Sequence, residues 1–363
     1  MPGKTIAVPQ TDPTIPPPIL SAYQIDPASV RPMPPGFSGA TVWSVRTPRG
    51  RRAIKRWPVG TTVDRVARVH AVVCRSSVMP AMDRVGGQTF VQIDGSIFES
   101  ARWIAGSPAA ADDAAARDAG VDWIAKFHAE QGSAEPSTSR VLGDRLRRLD
   151  QAIIRSRDGK FQSQLRQLAS HDRCEVRSMA RWIAGRLPSL LHRQRSSLAM
   201  HADQIRPIHW VLRDVHRDHI LFRGGEPRAI IDGDAIRRDW AGVDLARWIG
   251  SFDVTAGELP TVVAAAVRRW RAALDPAPVA GRAAMRPLMA GSAMADEGAM
   301  KIVDEVARDA ATVCDLVAVS TFLTAEQWTR WLWIDRREMP GGWAAGYRRW
   351  QWWAQAAWQL DQD

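Results

Sequence analysis

The feature that most constrains this sequence is a short hairpin with acidic and imidazole side chains at its open end. Residues 220–222 and 229–231 are apolar runs, and the polar, glycine-containing stretch between them predicts a tight turn. Because the strands of such a hairpin are antiparallel, His219 and Asp232 are expected side by side. Asp214 precedes His219 by five residues on a polar loop. Carboxylates and an imidazole gathered at one point suit the orientation of a nucleophile beside a divalent cation.

The rest of the chain predicts two lobes of different character. Its 363 residues exceed the usual size of a single core and fit two lobes of roughly 100–200 residues each. The first part alternates strand-like runs with turns, and its Asp94-Gly95 pair is typical of a hairpin. Ser107 followed by Pro108 predicts a helix start, and the pattern is then helical to residue 205. The strand-like runs are 41–46, 52–57, 89–93 and 96–100, with a helix expected over 63–75.

The first 35 residues are rich in proline. Nine of the 23 prolines fall between Pro9 and Pro35. Proline supplies no helix donor and such a segment buries little surface, so residues 1–35 are expected to form an extended or disordered lead-in. Ordered structure is then predicted to begin at Gly36.

Composition excludes several classes of protein. The net charge is +10, but only five of the 49 basic residues are lysine and the arginines are scattered, so the charge does not predict a nucleic-acid partner. No apolar run is long enough for a membrane span, and the N-terminal residues lack the apolar core of a signal peptide. The three cysteines are far apart and predict free thiols, so we expect a cytoplasmic protein. The sequence does not define the oligomeric state.

Several short motifs, in this order and spacing, resemble the aminoglycoside phosphotransferase-like branch of the protein-kinase-like superfamily. They are the turn at 36–40, the Ala-Ile-Lys at 53–55, the helix around 123–128, Asp214, the hairpin ending in Asp232, and Asp-Leu-Ala at 244–246. The resemblance covers residues 36–130 and 205–250. It implies an α+β, bilobal protein-kinase-like fold, with a β-rich, nucleotide-binding N-lobe over 36–105 and a mostly helical C-lobe over 106–363.

The resemblance also implies a function and roles for single residues. The chain would move the γ-phosphoryl group of ATP to a hydroxyl of a small molecule. Backbone groups near Gly36, Ser38 and Gly39 would cover the phosphates, and Lys55 would hold the α- and β-phosphates. The hinge between the lobes, with Glu99, Ala101 and Trp103, would bind adenine. Asp214 would orient the acceptor hydroxyl as the catalytic residue. Asp232, His219 and Asp234 would hold Mg²⁺, or Mn²⁺ because an imidazole suits it better.

The sequence departs from this family at several positions. His219 stands where the family has a metal-binding asparagine, and Leu212-Arg213 stands where it has His-Gly. The helix after Lys55 lacks the customary glutamate, and Asp64 is its nearest carboxylate. A pseudokinase that binds nucleotide or acts as a scaffold therefore stays open as the alternative. His219 is either a metal ligand or a structural hydrogen-bond partner, and His216 is expected to be structural. Asp244 is either a helix N-cap or a brace for the catalytic loop.

The C-terminal part is rich in tryptophan. Eight of the 17 tryptophans lie between Trp328 and Trp358, interspersed with arginines. This pattern favours packing of amphipathic helices over a sugar-binding platform. The stretch has no acidic cluster for a polycationic acceptor, which disfavours antibiotic inactivation as the natural activity.

Overall fold

The computed structural model describes residues 14–34, 36, 38–274, 293–339 and 342–361, without the side chains of 293–302. The chain divides into two compact units. The first comprises Met1–His70 and Ala81–Trp103, and the second comprises Ala71–Pro80 and Ile104–Asp363. A small unit built on an antiparallel sheet and a larger, mostly helical unit agree with the predicted α+β, kinase-like organisation.

The first unit is built on a five-stranded antiparallel sheet with strand order β1-β2-β3-β5-β4. Its strands are β1 (Arg31–Pro32), β2 (Thr41–Thr47), β3 (Gly50–Arg56), β4 (Phe90–Ile93) and β5 (Ser96–Arg102). Both predicted hairpins are present. Asp94 and Gly95 have positive φ angles of 47° and 73°, as a two-residue hairpin turn requires.

Part of the proline-rich lead-in is folded. Helix α1 (Pro17–Ala22) and a 3₁₀ turn (Pro27–Ser29) precede β1. The apolar residues of this segment that join the core of the first unit are Ile15, Ile19, Tyr23 and Ile25, and they pack with Trp43, Val45, Ile54 and Phe98. The prediction of a disordered lead-in over 1–35 is therefore wrong for residues 14–34, and residues 1–13 lie outside the described part. Proline fits the first turn of a helix, where its missing N–H costs nothing.

Helix α2 (Val63–Val73) follows β3, as predicted, and the helices of the second unit come after it. They are α3 (Ala114–Glu130), α4 (Arg140–Ser156), α5 (Gly159–Leu168), α6 (Cys174–Gly185), α7 (Leu187–Ala202), α8 (Gly242–Ile249), α9 (Leu259–Leu274), α10 (Ala293–Thr329), continued by a π-helical turn (Arg330–Ile334), and α11 (Gly342–Gln359). Among the helical residues that the structure describes, no stretch is both long and apolar enough to span a bilayer.

The second unit also contains two small sheets. Strands β6 (Glu135–Thr138), β7 (Ile205–Val211) and β10 (Arg237–Trp240) form one sheet in the order β10-β7-β6. Strands β8 (Ile220–Arg223) and β9 (Glu226–Ile230) form the predicted hairpin. The hairpin follows the loop that carries Asp214, so the sheet and the hairpin fix both ends of this loop.

Two boundaries differ from the prediction. Ser107 does not begin a helix, because its N–H donates to Phe222 O (3.0 Å) and its carbonyl accepts from Phe222 N (2.8 Å). Helix α3 begins instead after Asp113, whose Oδ1 accepts from Ala116 N at 2.9 Å. The segment 71–80, predicted within the N-lobe, belongs to the second unit. Its Val78 carbonyl accepts from Ile230 N at 2.8 Å.

Candidate active site

A buried carboxylate holds the loop that carries Asp214. Asp244 in the first turn of α8 accepts from the amides of Leu212 (2.7 Å) and Arg213 (2.6 Å), and from His128 Nε2 (2.9 Å). Its side chain makes no N-cap bond; residue 241 occupies the cap position. Asp244 was expected to be either a helix N-cap or a brace for the loop backbone, and in the structure it binds the loop backbone. The brace uses the loop's main chain alone, so it fixes the loop's shape through two consecutive amides.

A second contact fixes the proton on His128. Trp270 Nε1 in α9 donates to His128 Nδ1 at 3.0 Å. Because an indole N–H can only donate, Nδ1 is the acceptor and the ring proton lies on Nε2, which faces Asp244. Helices α3, α8 and α9 are therefore joined to the loop that carries Asp214 through one chain of hydrogen bonds.

The loop presents Asp214 toward solvent. Arg213 has a φ of 65°, in the left-handed region that favours glycine, and this is a position where the resembling family has glycine. The Asp214 side chain is 52 % exposed, and its Oδ1 accepts from Arg247 Nε (3.0 Å) and Nη2 (2.9 Å). Arg247 lies one turn after Asp244 on α8, so the same helix holds the loop backbone and the Asp214 carboxylate. This ion pair was not predicted from the sequence, although the spacing of Asp244 and Arg247 places both on one helical face.

His219 lies beside Asp232, as the hairpin predicted. Ile220 pairs with Ile230, and Ile231 N donates to His219 O at 2.8 Å, so the hairpin continues to its open end. His219 Nδ1 lies 2.7 Å from the carbonyl oxygen of Asp214. A carbonyl only accepts, so Nδ1 carries the proton and the Nε2 of the neutral ring carries a lone pair. His219 Nε2 is 3.8 Å from Asp232 Oδ2.

This pair fits a divalent cation. Bonds from such metals to nitrogen or oxygen are about 2.1 Å, so two donor atoms 3.8 Å apart can reach one ion. Asp232 has a φ of 63°, a strained conformation for a non-glycine residue, of the kind that concentrates at functional sites. The described residues contain no group of three or more metal-binding side chains, so other ligands would have to come from phosphates and water. Asp234 is half-buried two residues further on, and its role as a ligand stays a prediction.

His216 stacks against His219 with ring centroids 3.8 Å apart. Burial lowers the pKa of His216 far below its usual range, and the nearby charge of Arg247 acts in the same direction. A neutral His216 therefore packs against His219, in keeping with the structural role expected for it.

In the first unit, Lys55 lies opposite Glu99 on the neighbouring strand. The two residues are direct cross-strand partners on β3 and β5, so their side chains share one face of the sheet. Glu99 Oε2 accepts from Trp57 Nε1 (2.5 Å) and His70 Nε2 (2.7 Å). Burial alone would raise the pKa of Glu99, but His70, Lys55 and Trp57 together lower it. Glu99 is thus held as a carboxylate beside Lys55.

This arrangement changes the interpretation of two predicted residues. Asp64, the carboxylate that the sequence offered for Lys55, is exposed on α2. Glu99, expected to serve adenine through its backbone, uses its side chain to hold Lys55, Trp57 and His70 together. Only the register between β3 and β5, which belong to different hairpins, could have shown this, because it sets which residue of β5 lies opposite Lys55.

The other predicted nucleotide-binding residues are arranged as follows. Ser38 Oγ accepts from Ala40 N at 3.3 Å, and Gly39 has a φ of 78°, so a tight turn leads into β2. Gly36 is exposed before it. Ala101 lies in β5 opposite Ala53. The Trp103 N–H donates to Arg51 O at 3.1 Å, so this amide already has an acceptor and is not open to adenine.

The small sheet unit, the mostly helical unit and the braced loop agree with a protein-kinase-like fold. The model of the phosphotransferase enzyme family APH matches residues 29–288, and the chain belongs to this family. The solved structures with a similar fold include the amicoumacin kinase hAmiN in complex with AMP-PNP, Ca²⁺ and Ami. It has a TM-score of 0.56 at 10 % identity, over 94 % of this chain and 91 % of that one.

A second similar structure is the spectinomycin phosphotransferase APH(9)-Ia in complex with ADP and spectinomycin, with a TM-score of 0.54 at 10 % identity. The match covers 95 % of this chain and 97 % of that one. At such low identity these likenesses concern the fold alone. No curated protein matches the sequence.

Proposed function

We propose that this protein transfers the γ-phosphoryl group of ATP to a hydroxyl group of a small molecule. The observation that carries the proposal is the loop braced by Asp244. This loop leaves the Asp214 carboxylate accessible to solvent, and its Asp214 carbonyl oxygen lies 2.7 Å from Nδ1 of His219, the partner of Asp232. In this proposal a group that can orient a hydroxyl would lie on the same loop as a residue that can bind a cation. The two solved relatives were captured with AMP-PNP and Ca²⁺, and with ADP, which supports a nucleotide and a divalent metal here. Free thiols at Cys74, Cys174 and Cys314 support a cytoplasmic location.

Each residue has a defined part in the reaction. The hydroxyl oxygen of the acceptor attacks the γ-phosphorus, the bond to the β–γ bridging oxygen breaks, and ADP leaves. Arg247 occupies Oδ1 of Asp214, so Oδ2 would orient the hydroxyl and accept its proton. Lys55, held by Glu99, would neutralise the α- and β-phosphates, and the turn with Gly36, Ser38 and Gly39 would cover them. Ala101 and the neighbouring strand end would lie by the adenine.

The metal would be held by Asp232 and His219, with Asp234 as a further candidate ligand. When bound, Mg²⁺ or Mn²⁺ would neutralise charge on the transferred phosphoryl group and its bridging oxygen. The fixed proton on His219 Nδ1 keeps Nε2 ready to bind an ion, since the ring need not change its tautomer. An imidazole and a carboxylate together favour Mn²⁺ more than a pair of oxygen ligands would.

A pseudokinase is the second candidate, and the ion pair between Arg247 and Asp214 favours it. A guanidinium bound to the carboxylate occupies one of the two oxygens that could otherwise bind an acceptor hydroxyl. Such a protein would bind nucleotide and transfer nothing.

The two candidates differ in what Asp214→Asn changes. If the protein is an enzyme, this variant binds a non-hydrolysable ATP analogue with Mn²⁺ about as tightly as wild type, while ATP turnover falls by about 100-fold or more. Asp172→Asn, an exposed aspartate on the same unit, serves as the matched control and keeps both properties. Hydrolysis of ATP to water is the readout while the acceptor is unidentified. Equal binding with no hydrolysis in wild type, with either metal, would favour the pseudokinase.

The metal ligands are tested separately. Asp232→Asn is expected to abolish the metal-dependent part of nucleotide binding, since a carboxylate oxygen is lost. His219→Asn restores the family's amide oxygen, so the ratio of activity with Mg²⁺ to activity with Mn²⁺ should rise. If only His219→Asn hydrolyses ATP, the imidazole of His219 prevents catalysis in wild type, and the remaining residues of the site are sufficient for it.

A further inference from the structure

Arginine side chains surround the catalytic loop from three helices. Arg213 of the loop has its Nη2 3.7 Å from Asp144 Oδ2 on α4. The guanidinium of Arg247 on α8 lies 5.9 Å from the ring centroid of Trp353 on α11. Helices α4, α8 and α11 therefore border the loop. We call the basic side chains that they and the loop contribute the arginine cluster: Arg145, Arg148, Arg213, Arg247 and Arg349.

The positive charge of this cluster is not balanced by nearby acids. Asp214 is engaged by Arg247, and Asp144 is shared by Arg213 and Arg147. Within the part of the chain that the structure describes, Arg145 and Arg148 form no ion pair or hydrogen bond. The cluster thus holds two guanidinium groups without an ion-pair partner among the described residues, although the charge of Asp144 acts on Arg145 from a distance.

Electrostatics show that these groups affect one another. Burial lowers the pKa of Arg145 to about 10, and three neighbouring guanidinium groups contribute in the same direction. They are those of Arg148, Arg247 and Arg213. Burial also lowers the pKa of Arg349, with Arg247 acting in the same direction and Asp218 and Asp214 against it. Like charges held together at a free-energy cost are typical of a site that awaits an opposite charge.

A structural arginine in this protein has a different environment. Arg206 donates to Asp309 Oδ1 at 2.7 Å, and Arg271 donates to Glu305 Oε2 at 2.8 Å. These arginines pair with carboxylates between α9, α10 and β7. The cluster at the catalytic loop lacks such partners for Arg145 and Arg148.

We propose that the acceptor is an anion, a hydroxyl compound that carries a phosphate or carboxylate group bound by the arginine cluster. This inference rests on the proposed function, since it concerns the molecule that presents its hydroxyl to Asp214. The planar guanidinium group binds phosphate and carboxylate through two parallel hydrogen bonds, which fixes the orientation as well as the charge. A polycationic acceptor would be repelled here by the same side chains.

The test measures binding of inorganic phosphate by isothermal titration calorimetry at constant ionic strength, so that general screening does not change. Arg145→Gln and Arg349→Gln are each expected to weaken phosphate binding at least about fivefold, because each removes a charged donor. Arg166→Gln, an exposed arginine on α5, is the matched control and should bind as wild type does. Lys55→Ala should also leave this affinity unchanged, since Lys55 belongs to the nucleotide site.

The outcomes separate this inference from the proposed function. Phosphate binding that is lost in Lys55→Ala and kept in the arginine variants would assign the anion to the nucleotide site and overturn the inference. Absence of phosphate binding to wild type overturns it as well, even if ATP is hydrolysed. Binding that depends on Arg145 in a protein that binds no ATP supports the anion site and removes the proposed function alone.

Stability gives an independent readout for Arg145. Replacing a guanidinium crowded by like charges relieves repulsion, so Arg145→Gln should melt at or above the temperature of wild type while it binds phosphate more weakly. A melting temperature lowered by several degrees would make Arg145 a structural residue and contradict its assignment to the anion site.

Discussion

His128 donates from Nε2 to Asp244 Oδ2 across 2.9 Å, and neither side chain has any exposed surface. The contact joins helices α3 and α8, and Asp244 also binds the amides of Leu212 and Arg213. The interior of the second unit is thereby connected to the backbone that presents Asp214. Stability and catalytic geometry should consequently depend on the same carboxylate.

Asp244→Ala is expected to lower the free energy of unfolding by about 3 kcal/mol or more, because it leaves several buried donors without an acceptor. Trp270→Phe removes only the donor to His128 Nδ1 and should cost about 1 kcal/mol. Urea unfolding followed by tryptophan fluorescence measures the first change, and circular dichroism measures both. Asp172→Asn is the control, with a change within about 0.5 kcal/mol. Equal stability of Asp244→Ala and wild type would contradict the brace.

Glu99→Gln should weaken ATP binding several-fold, whereas Asp64→Asn should not. The carboxylate of Glu99 faces Lys55 across the strand pair, so its loss removes the charge that positions the ammonium group. Asp64 is exposed on α2 and serves as the matched control. Titration calorimetry with a non-hydrolysable ATP analogue measures both affinities. If Asp64→Asn weakens ATP binding and Glu99→Gln does not, the carboxylate that positions Lys55 is Asp64 of helix α2.

Ile19→Ala should destabilise the first unit by about 2–5 kcal/mol, because the side chain is fully buried against the sheet. Ser21→Ala, an exposed change in the same helix, should leave the melting temperature within about a degree of wild type. Thermal unfolding by calorimetry distinguishes them. If Ile19→Ala melts with wild type, α1 does not contribute to the core.

The stability of the fold should fall as the pH falls from about 6.5 to 4. Burial, and then His128 and Arg238, lower the pKa of His209 from 6.5 to about 4. Between these values the unfolded chain binds a proton that the folded chain does not, so acid favours unfolding, by about 1.4 kcal/mol per pH unit for one proton. His209→Gln should reduce this slope in urea unfolding series across the range. His216 contributes in the same direction, so a residual slope is expected. A slope unchanged by His209→Gln would contradict the assignment.

The sequence predicted those parts of the molecule that depend on local pattern. The hairpin at 220–230 was predictable from its apolar runs and glycine turn, and its open end brings His219 close to Asp232, although the register shifts between Leu221 and Phe222. The kinase-like order of sheet and helices followed from the spacing of short motifs, and the family match bears it out.

Features that depend on packing between distant segments were not predictable. The apolar residues around Ile19 are separated by prolines, and only the sheet surface beneath them makes burial favourable. Ser107 followed by Pro108 has the chemistry of a helix start, but the backbone of Ser107 pairs with Phe222, over a hundred residues later. The carboxylate beside Lys55 comes from a neighbouring strand, and no sequence-local rule places it there.

Asp244 binds the loop that carries Asp214 through main-chain amides, so these two hydrogen bonds do not depend on which side chains residues 212 and 213 carry. The exchange of His-Gly for Leu-Arg at these positions becomes tolerable on this basis, with only the left-handed conformation of Arg213 as a cost. Because the loop backbone is held in this way, the side chains of the loop can change during evolution, and the choice of substrate can change with them. Protein engineers could randomise position 213 together with Arg145 and Arg349 and select for new acceptors. The hydrogen bonds from Asp244 to the loop backbone would be kept in every variant.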